Sequence, residues 1–206
     1  MNEVRLCVLV SGSGTILESM LGAGLEVALV ASDRPCRGLE IAASHNIPAV
    51  LVDRQAFGGF TADFARDAYS LELARVLTEH QIDLIAMAGF GTIITRELHE
   101  PFRGRILNTH PSLLPDFKGW HAVALALDAG VKESGCTVHI ATEELDDGPI
   151  LAQARVPVLA SDDEASLHER IKHVERDLYP RVVTRVMASL REGREPETVA
   201  GTIEEM

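Results

Sequence analysis

Asn108, His110 and Asp146 are the residues of this sequence best suited to act together in catalysis. They fall in the segments Asn-Thr-His-Pro-Ser-Leu-Leu-Pro (108–115) and Glu-Leu-Asp-Asp-Gly-Pro (144–149). Asn108 and His110 are two residues apart at the end of a predicted strand, so their side chains point to the same side. An amide, an imidazole and a carboxylate can stabilise an oxyanion and move a proton. Each alone could serve only turn or backbone hydrogen bonding, so the chemistry depends on the set.

A glycine-rich turn, Ser11-Gly12-Ser13-Gly14-Thr15, follows the first predicted strand and precedes a helical pattern. Glycines let the backbone turn sharply, and the N–H groups that begin the next helix favour an anion. Asp33 lies about 20 residues downstream, where a dinucleotide fingerprint places its ribose-binding acid. However, Leu17 replaces the third glycine of that fingerprint, and no Lys-Ser/Thr pair marks a nucleoside-triphosphate site. The turn favours a monophosphate, and a tight turn without a ligand stays open.

The elements that must position these residues alternate in the first half of the sequence. Four apolar runs predict strands: Val4–Val10, Glu26–Ala31, Ala49–Val52 and Asp83–Ala88. The helix-like stretches between them are Thr15–Leu21, Gly38–His45 and Thr61–His80. Short buried strands separated by helices predict a parallel sheet with crossover helices. Such a sheet binds its ligands at the carboxyl ends of its strands, where the glycine-rich turn and Asn108 both fall.

After residue 108 the pattern changes to a Pro/Gly-rich loop, a predicted helix over Trp120–Ala129, and two strands, Gly135–Thr142 and Ile150–Val158. The short connection between these strands favours an antiparallel addition to the sheet. Ser161-Asp162-Asp163-Glu164 is typical of a capping box and predicts a long helix to the region of Leu190. Pro180 lies inside that helix and should kink or break it.

The predicted fold class is therefore α/β. It consists of a Rossmann-like, mostly parallel sheet with crossover helices, an antiparallel addition in the C-terminal half and a long C-terminal helix. The length suits one domain over residues 1–192, with a phosphate-binding βαβ half (1–100) and a catalytic half (101–192). Residues 193–206 are expected to form a weakly ordered C-terminal tail.

Composition and charge narrow the function classes. A net charge of −12 disfavours nucleic acids and anionic membrane surfaces, whose binding depends on Lys and Arg. No leader sequence precedes the first strand and no apolar run is long enough to span a bilayer, so a cytoplasmic protein is expected. Cys7, Cys36 and Cys136 lack metal-ligand spacing. Buried free thiols at Cys7 and Cys136, and no metal, are expected.

The segments 108–115 and Asp146-Asp147-Gly148-Pro149-Ile150 resemble the folate-dependent formyltransferases, and the resemblance extends from the glycine-rich turn to Glu175-Arg176-Asp177-Leu178-Tyr179-Pro180. The resemblance, with the single-domain length, implies a specific reaction of purine synthesis. The formyl group of 10-formyltetrahydrofolate would pass directly to the amine of 5′-phosphoribosylglycinamide (glycinamide ribonucleotide). Asn108 and protonated His110 would donate to the oxyanion of a tetrahedral intermediate. Asp146 would keep His110 charged and help to remove the amine proton.

The resemblance also implies the substrate-binding residues. The ribonucleotide would be bound by the glycine-rich turn and the C-terminal helix, through Gly12, Ser13, Gly14, Thr15, Ile16, Lys172 and Glu175. The folate would be bound by one helix residue, two loops and Asn108, that is by Arg66, Gly91, Thr92, Ile93, Ile94, Asn108, Thr142, Glu143, Glu144, Leu145 and Asp146. His139 would support His110 without contacting the substrates itself. His121 is expected near the formyl site, with an ordinary loop role as its alternative.

Two positions depart from the family pattern. Ile16 stands where Asn is usual after the Ser/Thr of the turn, which removes a polar side chain and should alter the ribonucleotide affinity without abolishing it. Gly91-Thr92 stands where Met-Arg is common, which removes two side chains at the folate site and leaves the backbone contacts to the pterin.

Three other functions stay open at this point. A formyltetrahydrofolate hydrolase would use the same triad with water as nucleophile, but it typically carries an N-terminal regulatory domain, for which no room is expected before Val4. A methionyl-tRNA formyltransferase would need a C-terminal RNA-binding domain and a basic face. A dinucleotide-binding module would leave the second half unexplained. The expected partners are small-molecule substrates only, bound by a monomer or a homodimer.

Overall fold

The computed structural model describes residues 3–199, which fall into two compact units divided between Ile106 and Leu107. The first unit contains four parallel strands in the spatial order β3-β2-β1-β4. They are β1 (Leu6–Val10), β2 (Val27–Ser32), β3 (Ala49–Leu51) and β4 (Leu84–Met87). The helices of this unit are α1 (Thr15–Gly22), α2 (Arg37–Ser44), α3 (Arg66–Glu79) and α4 (Arg96–His99), with a short 3-10 helix over Arg54–Phe57.

Strand β1 is the centre of the first unit. Its five residues are completely buried, because β2 pairs with one edge and β4 with the other. A strand buried on both faces must be apolar throughout, which explains its Leu-Cys-Val-Leu-Val sequence. The predicted buried thiol at Cys7 is confirmed.

The second unit is built on antiparallel strands. Strand β5 (Ile106–His110) pairs with β6 (Glu133–Ile140), which pairs with β7 (Ile150–Pro157). Helix α5 (Ala122–Asp128) lies between β5 and β6 in the sequence, and the long α6 (Glu164–Arg191) follows β7. The prediction of parallel strands with crossover helices followed by an antiparallel addition is confirmed. The buried thiol at Cys136 is confirmed as well.

Pro180 does not break the C-terminal helix, so of the two predicted outcomes the break is wrong and the kink stays a prediction. Helix α6 is continuous through 28 residues and begins with a capping box between Asp163 and Ser166. A proline removes one backbone donor from a helix, and packing outweighs that loss here. Pro180 is buried between apolar neighbours, and the adjacent Tyr179 donates its hydroxyl to the Leu107 carbonyl oxygen at 2.8 Å.

Other element boundaries also differ from the sequence prediction. Helix α3 begins at Arg66 instead of Thr61, because the Thr61 hydroxyl accepts from the Asp63 amide and donates to the Gly58 carbonyl in a local turn. Helix α5 begins two residues late, after His121 at a φ of 66°. Within the predicted tail, Pro196–Val199 form a 3-10 helix, and residues 200–206 lie outside the described part. In residues 3–199 no helix has the length and apolar character needed to cross a membrane.

Candidate active site

Asn108, His110, His139 and Asp146 form one cluster in the second unit. The register of β5 and β6 places Asn108 opposite His139, and the turn after β6 brings Asp146 back to both histidines. Asp146 Oδ2 lies 3.2 Å from His110 Nδ1, and its Oδ1 lies 3.5 Å from His139 Nε2. His110, His139 and Asp146 are all buried. A charge network of this kind gains strength because little water screens it.

Asp146 is held ionised by its surroundings. Burial alone would raise the pKa of its carboxyl, but hydrogen bonds from His139 and the Gly119 amide, with the positive charges of His110 and His139, outweigh it. The pKa of Asp146 is therefore lowered from its ordinary value. A carboxylate at this position stabilises a positive charge on His110.

The neighbours of His110 are suited to its doubly protonated form. Nδ1 faces the Asp146 carboxylate, and Nε2 lies 2.8 Å from the Phe117 carbonyl oxygen. Both partners only accept hydrogen bonds, so both ring nitrogens are placed as donors. The Nε2 proton must leave the Phe117 carbonyl before it can reach a substrate oxygen.

His139 controls how the Asn108 amide is presented. Its Nδ1 lies 3.1 Å from the Ile140 carbonyl oxygen, which can only accept, so Nδ1 carries a proton. Its Nε2 lies 3.3 Å from the Asn108 side-chain nitrogen and faces the Asp146 carboxylate. The Asn108 side-chain NH₂ carries two protons, so one can face His139 Nε2 while the other is available to a substrate oxygen.

The loop after β5 contributes two backbone groups that the sequence did not reveal. The Gly119 amide donates to Asp146 Oδ2 at 2.9 Å, and the Phe117 carbonyl accepts from His110. Phe117 and Gly119 both have positive φ angles, 54° and 80°. Positive φ at a non-glycine residue is uncommon, and the phenylalanine gives no signal of it in the sequence.

A buried polar network holds this loop on the sheet. The Thr137 hydroxyl donates to the Ser112 carbonyl at 2.7 Å and accepts from the Leu114 amide at 3.0 Å. Gln153 of β7 donates to both the Leu114 carbonyl and the Thr137 hydroxyl at 2.9 Å. Because Thr137 is opposite His110 in the strand register, this network fixes where the chain leaves β5. Neither residue was singled out from the sequence.

Lys172 and Glu175 lie one turn apart on α6. Burial raises the pKa of Glu175, while the Thr109 hydroxyl and the charges of Lys172 and Arg176 oppose the shift. A carboxyl with a raised pKa close to the end of β5 is more than an exposed surface charge.

In the first unit, close packing against α2 explains why glycine occupies position 14 of the glycine-rich turn. Gly14 has a φ of 71°, and a Cβ on it would lie 2.6 Å from the Ile41 side chain and 3.0 Å from Gly38 of α2. Only glycine fits this close approach. Ile16 is buried, so the departure from the family pattern at this position does not expose an apolar side chain at the glycine-rich turn.

The carboxyl ends of β1 and β4 meet as the parallel sheet predicts. The Gly91 amide donates to the Ser11 hydroxyl at 2.8 Å, which joins the predicted folate segment to the glycine-rich turn. Thr92 is buried and donates to Asp33 Oδ2 at 2.7 Å. Ile94 is buried in the same segment. The Thr92 side chain is thus buried and hydrogen-bonded inside this unit.

Asp33 is not available as a ribose-binding acid. It is completely buried, and both of its oxygens accept hydrogen bonds from Arg34, at 3.0 and 2.9 Å. With Thr92 as a further donor, the carboxylate is saturated. The dinucleotide alternative loses the residue on which it depended.

Several of the remaining predicted site residues are exposed at the surface of their own units. Arg66 is the exposed first residue of α3. Thr142 to Leu145 form an exposed loop that folds on itself, where the Thr142 hydroxyl donates to the Glu144 carbonyl at 3.0 Å. His121 is exposed and directly precedes α5, and no hydrogen bond joins its side chain to the cluster in the part that the structure describes. In residues 3–199, no group of three or more His, Cys, Asp or Glu side chains is arranged to hold a metal ion.

The sequence matches the formyl transferase family over residues 4–183. The chain belongs to the formyl transferase family. It is 46% identical over 180 residues to the phosphoribosylglycinamide formyltransferase of Mycobacterium tuberculosis (strain ATCC 25618 / H37Rv), a match that covers 84% of this chain and 80% of that protein. It is 34% identical over 188 residues to the Escherichia coli (strain K12) protein of the same name, with 88% and 86% covered.

The fold of this formyl transferase is also that of a solved relative. The crystal structure of phosphoribosylglycinamide formyltransferase from Anaplasma phagocytophilum matches with a TM-score of 0.81 at 38% identity. The match covers 91% of this chain and 89% of that one. The resemblance identified from the 108–115 and 146–150 segments is confirmed.

Proposed function

We propose that this formyl transferase moves the formyl group of 10-formyltetrahydrofolate to the amine of 5′-phosphoribosylglycinamide, giving formylglycinamide ribonucleotide and tetrahydrofolate in de novo purine (IMP) synthesis. The observation that carries the proposal is the single cluster of Asn108, His110 and Asp146, in which His110 and Asp146 are buried and their side chains lie 3.2 Å apart. The printed names of the relatives favour this transfer over formyltetrahydrofolate hydrolysis.

The cluster supplies each group that the transfer needs. Asn108 and His110 donate to the formyl oxygen, which gains negative charge when the ribonucleotide amine adds to the formyl carbon. Preorganised donors of this kind lower a barrier by about 3 kcal/mol each. Asp146 stabilises the charged His110 and, directly or through water, accepts the proton that the amine loses. This proton passes to N10 of the folate as the bond between the formyl carbon and N10 breaks, which releases tetrahydrofolate. The reaction forms no covalent bond to the protein.

Two substrate sites follow from the proposal. The ribonucleotide phosphate binds the backbone N–H groups of residues 12–16, and Lys172 and Glu175 face the rest of that substrate. The folate binds Arg66, the segment 91–94 and the loop 142–146. The hydrogen bond between Ser11 and Gly91 supports neighbouring sites, because it places the glycine-rich turn beside the segment 91–94 within the first unit.

The wider assignments are also proposals. Residues 1–192 act as one formyltransferase domain, and the protein works in the cytoplasm as a monomer or a homodimer. A net charge of −12 and the absence of a membrane-spanning helix among residues 3–199 are consistent with an enzyme for small substrates.

A spectrophotometric assay of tetrahydrofolate formation tests the function. Product should form only when glycinamide ribonucleotide and 10-formyltetrahydrofolate are both present, together with one equivalent of formylglycinamide ribonucleotide. Formate release at a comparable rate without the ribonucleotide would refute the transferase assignment and support a hydrolase.

A further inference from the structure

The segment that follows β4 contains no helix or strand and is held by side chains of the first unit. Its last backbone–backbone hydrogen bond to the sheet runs from the Ala88 amide to the Leu9 carbonyl. In the described part of the first unit, no backbone–backbone hydrogen bond involves residues 89–94. These residues include the segment 91–94 that is proposed to bind folate. Without a backbone ladder in this unit, the conformation of the segment depends on the side chains that contact it.

Two adjacent residues of this segment are held at the carboxyl ends of β1 and β2. The Gly91 amide donates to the Ser11 hydroxyl at 2.8 Å. The buried Thr92 hydroxyl donates to Asp33 Oδ2 at 2.7 Å. Burial would raise the pKa of this carboxyl, but hydrogen bonds from Arg34, Thr92 and Ser11 lower it overall, so the anchor is a carboxylate. Because Ser11 directly follows β1 and Asp33 directly follows its neighbour β2, paired strands of the sheet position both anchors.

Ser11 is also the first residue of the glycine-rich turn. Gly12 and Ser13 follow it directly and are exposed, and the backbone N–H groups of residues 12–16 are the donors proposed for the ribonucleotide phosphate. An anion bound by successive backbone N–H groups restricts the peptide units that carry them. The hydroxyl that accepts from the Gly91 amide therefore belongs to a residue that is directly bonded to the proposed phosphate site.

We propose that Ser11 is a positioning residue that makes the two substrates bind cooperatively, because it fixes the folate segment to the phosphate turn. This inference rests on the proposed function. The ribonucleotide, when bound to residues 12–16, restricts Ser11 and through it the Gly91 amide. The folate then binds a segment that is already ordered, so less conformational entropy is lost. Coupling of this kind is reciprocal, so bound folate raises the affinity for the ribonucleotide by the same factor.

Ser70 is an anchor of the same segment that has no connection to the turn. Its hydroxyl is buried and accepts from the Thr95 amide at 3.0 Å, just beyond the far end of the segment. Ser70 lies on α3, and in the described part of the first unit it forms no hydrogen bond with residues 11–16. A substitution at Ser70 therefore loosens the segment in a general way, whereas one at Ser11 breaks the link between the two sites.

Calorimetric titration of the full chain with tetrahydrofolate, with and without saturating glycinamide ribonucleotide, tests the proposal. No formyl group is present, so the ternary complex cannot react. The wild type should bind tetrahydrofolate at least about fivefold more tightly when the ribonucleotide is bound. Ser11→Ala removes the hydroxyl and should reduce this coupling factor to less than about twofold. Ser70→Ala is the matched control: it should weaken tetrahydrofolate binding equally with and without the ribonucleotide and keep the wild-type factor.

Hydrogen exchange of the Gly91 amide gives a second readout, which the wild type provides even if a variant does not fold. The ribonucleotide alone should slow this exchange in the wild type, because it restricts the acceptor Ser11, and should leave it unchanged in Ser11→Ala. A purely structural role of Ser11 would lower stability without making the Gly91 amide respond to a ligand at the turn.

Three results would overturn the proposal: independent binding of the two ligands to the wild type, an unchanged coupling factor in Ser11→Ala, or equal losses of that factor in Ser11→Ala and Ser70→Ala. Exchange of the Gly91 amide that does not respond to the ribonucleotide in the wild type would overturn it as well. Formyl transfer by the wild type is scored separately. Transfer with independent binding refutes only the cooperative link, cooperative binding without transfer refutes only the proposed function, and failure to bind either ligand refutes both.

Discussion

Replacing Asp146 with asparagine should remove one negative charge from the cluster with almost no change in shape. Asp146 has a φ of 53°, in the left-handed region that asparagine adopts more readily than most residues. The new amide oxygen can still accept the 2.9 Å hydrogen bond from Gly119. A change in turnover will therefore report the loss of charge.

The distances give the size of the effect. Asp146 lies 3.2 Å from His110 Nδ1, and the two side chains are only 4% and 7% exposed. At an effective dielectric constant of about 20, unit charges at this separation interact by about 5 kcal/mol. Losing about 4 to 5 kcal/mol of support for the charged His110 corresponds to a kcat lower by about 10³ to 10⁴-fold.

The assay is kcat at saturating concentrations of both substrates, with the ribonucleotide Kd measured separately and expected to change little. Asp147→Asn is the matched control, since Asp147 is adjacent, exposed and paired with Lys118. It should keep at least a third of the wild-type kcat. An Asp146→Asn enzyme that retained more than a tenth of the wild-type kcat would remove the charge on Asp146 from the mechanism.

Two further predictions concern stability. A Cβ on Gly148 would lie 1.8 Å from the Ile140 carbonyl oxygen, so Gly148→Ala should displace the turn that carries Asp146 and lower the free energy of unfolding in urea by about 3 kcal/mol or more. Gly22→Ala is the control, because a Cβ there has nothing within 4 Å, and it should be neutral or stabilising. Equal urea midpoints for the two variants would contradict this prediction. Burial raises the pKa of Asp33, but hydrogen bonds from Arg34, Thr92 and Ser11 and the Arg34 charge lower it below 3.8 overall. Asp33 therefore contributes stability above pH 3.8 that is lost as the pH falls further. Asp33→Asn should lower the free energy of unfolding in urea by about 2 kcal/mol at pH 7 and should weaken its dependence on pH in the acid range. Parallel pH profiles of this free energy for the variant and the wild type would refute this account.

The sequence by itself determined the alternation of strands and helices, and it indicated the chemistry that we propose for the site. Apolar runs such as Leu6–Val10 have to be buried on both faces, so a parallel sheet with crossover helices follows from local pattern alone. The two-residue spacing of Asn108 and His110 at a strand end fixes their common direction. The order of the two motifs then indicated Asp146 as their partner.

Only the tertiary structure decided which groups complete the site. The contacts of Asp146 with His139 and the Gly119 amide depend on strand register and on positive φ angles, which are set by packing between distant segments. The same holds for the unbroken helix at Pro180, where buried neighbours outweigh a local preference. Local pattern predicts what each residue can do, and long-range packing decides which residues do it together.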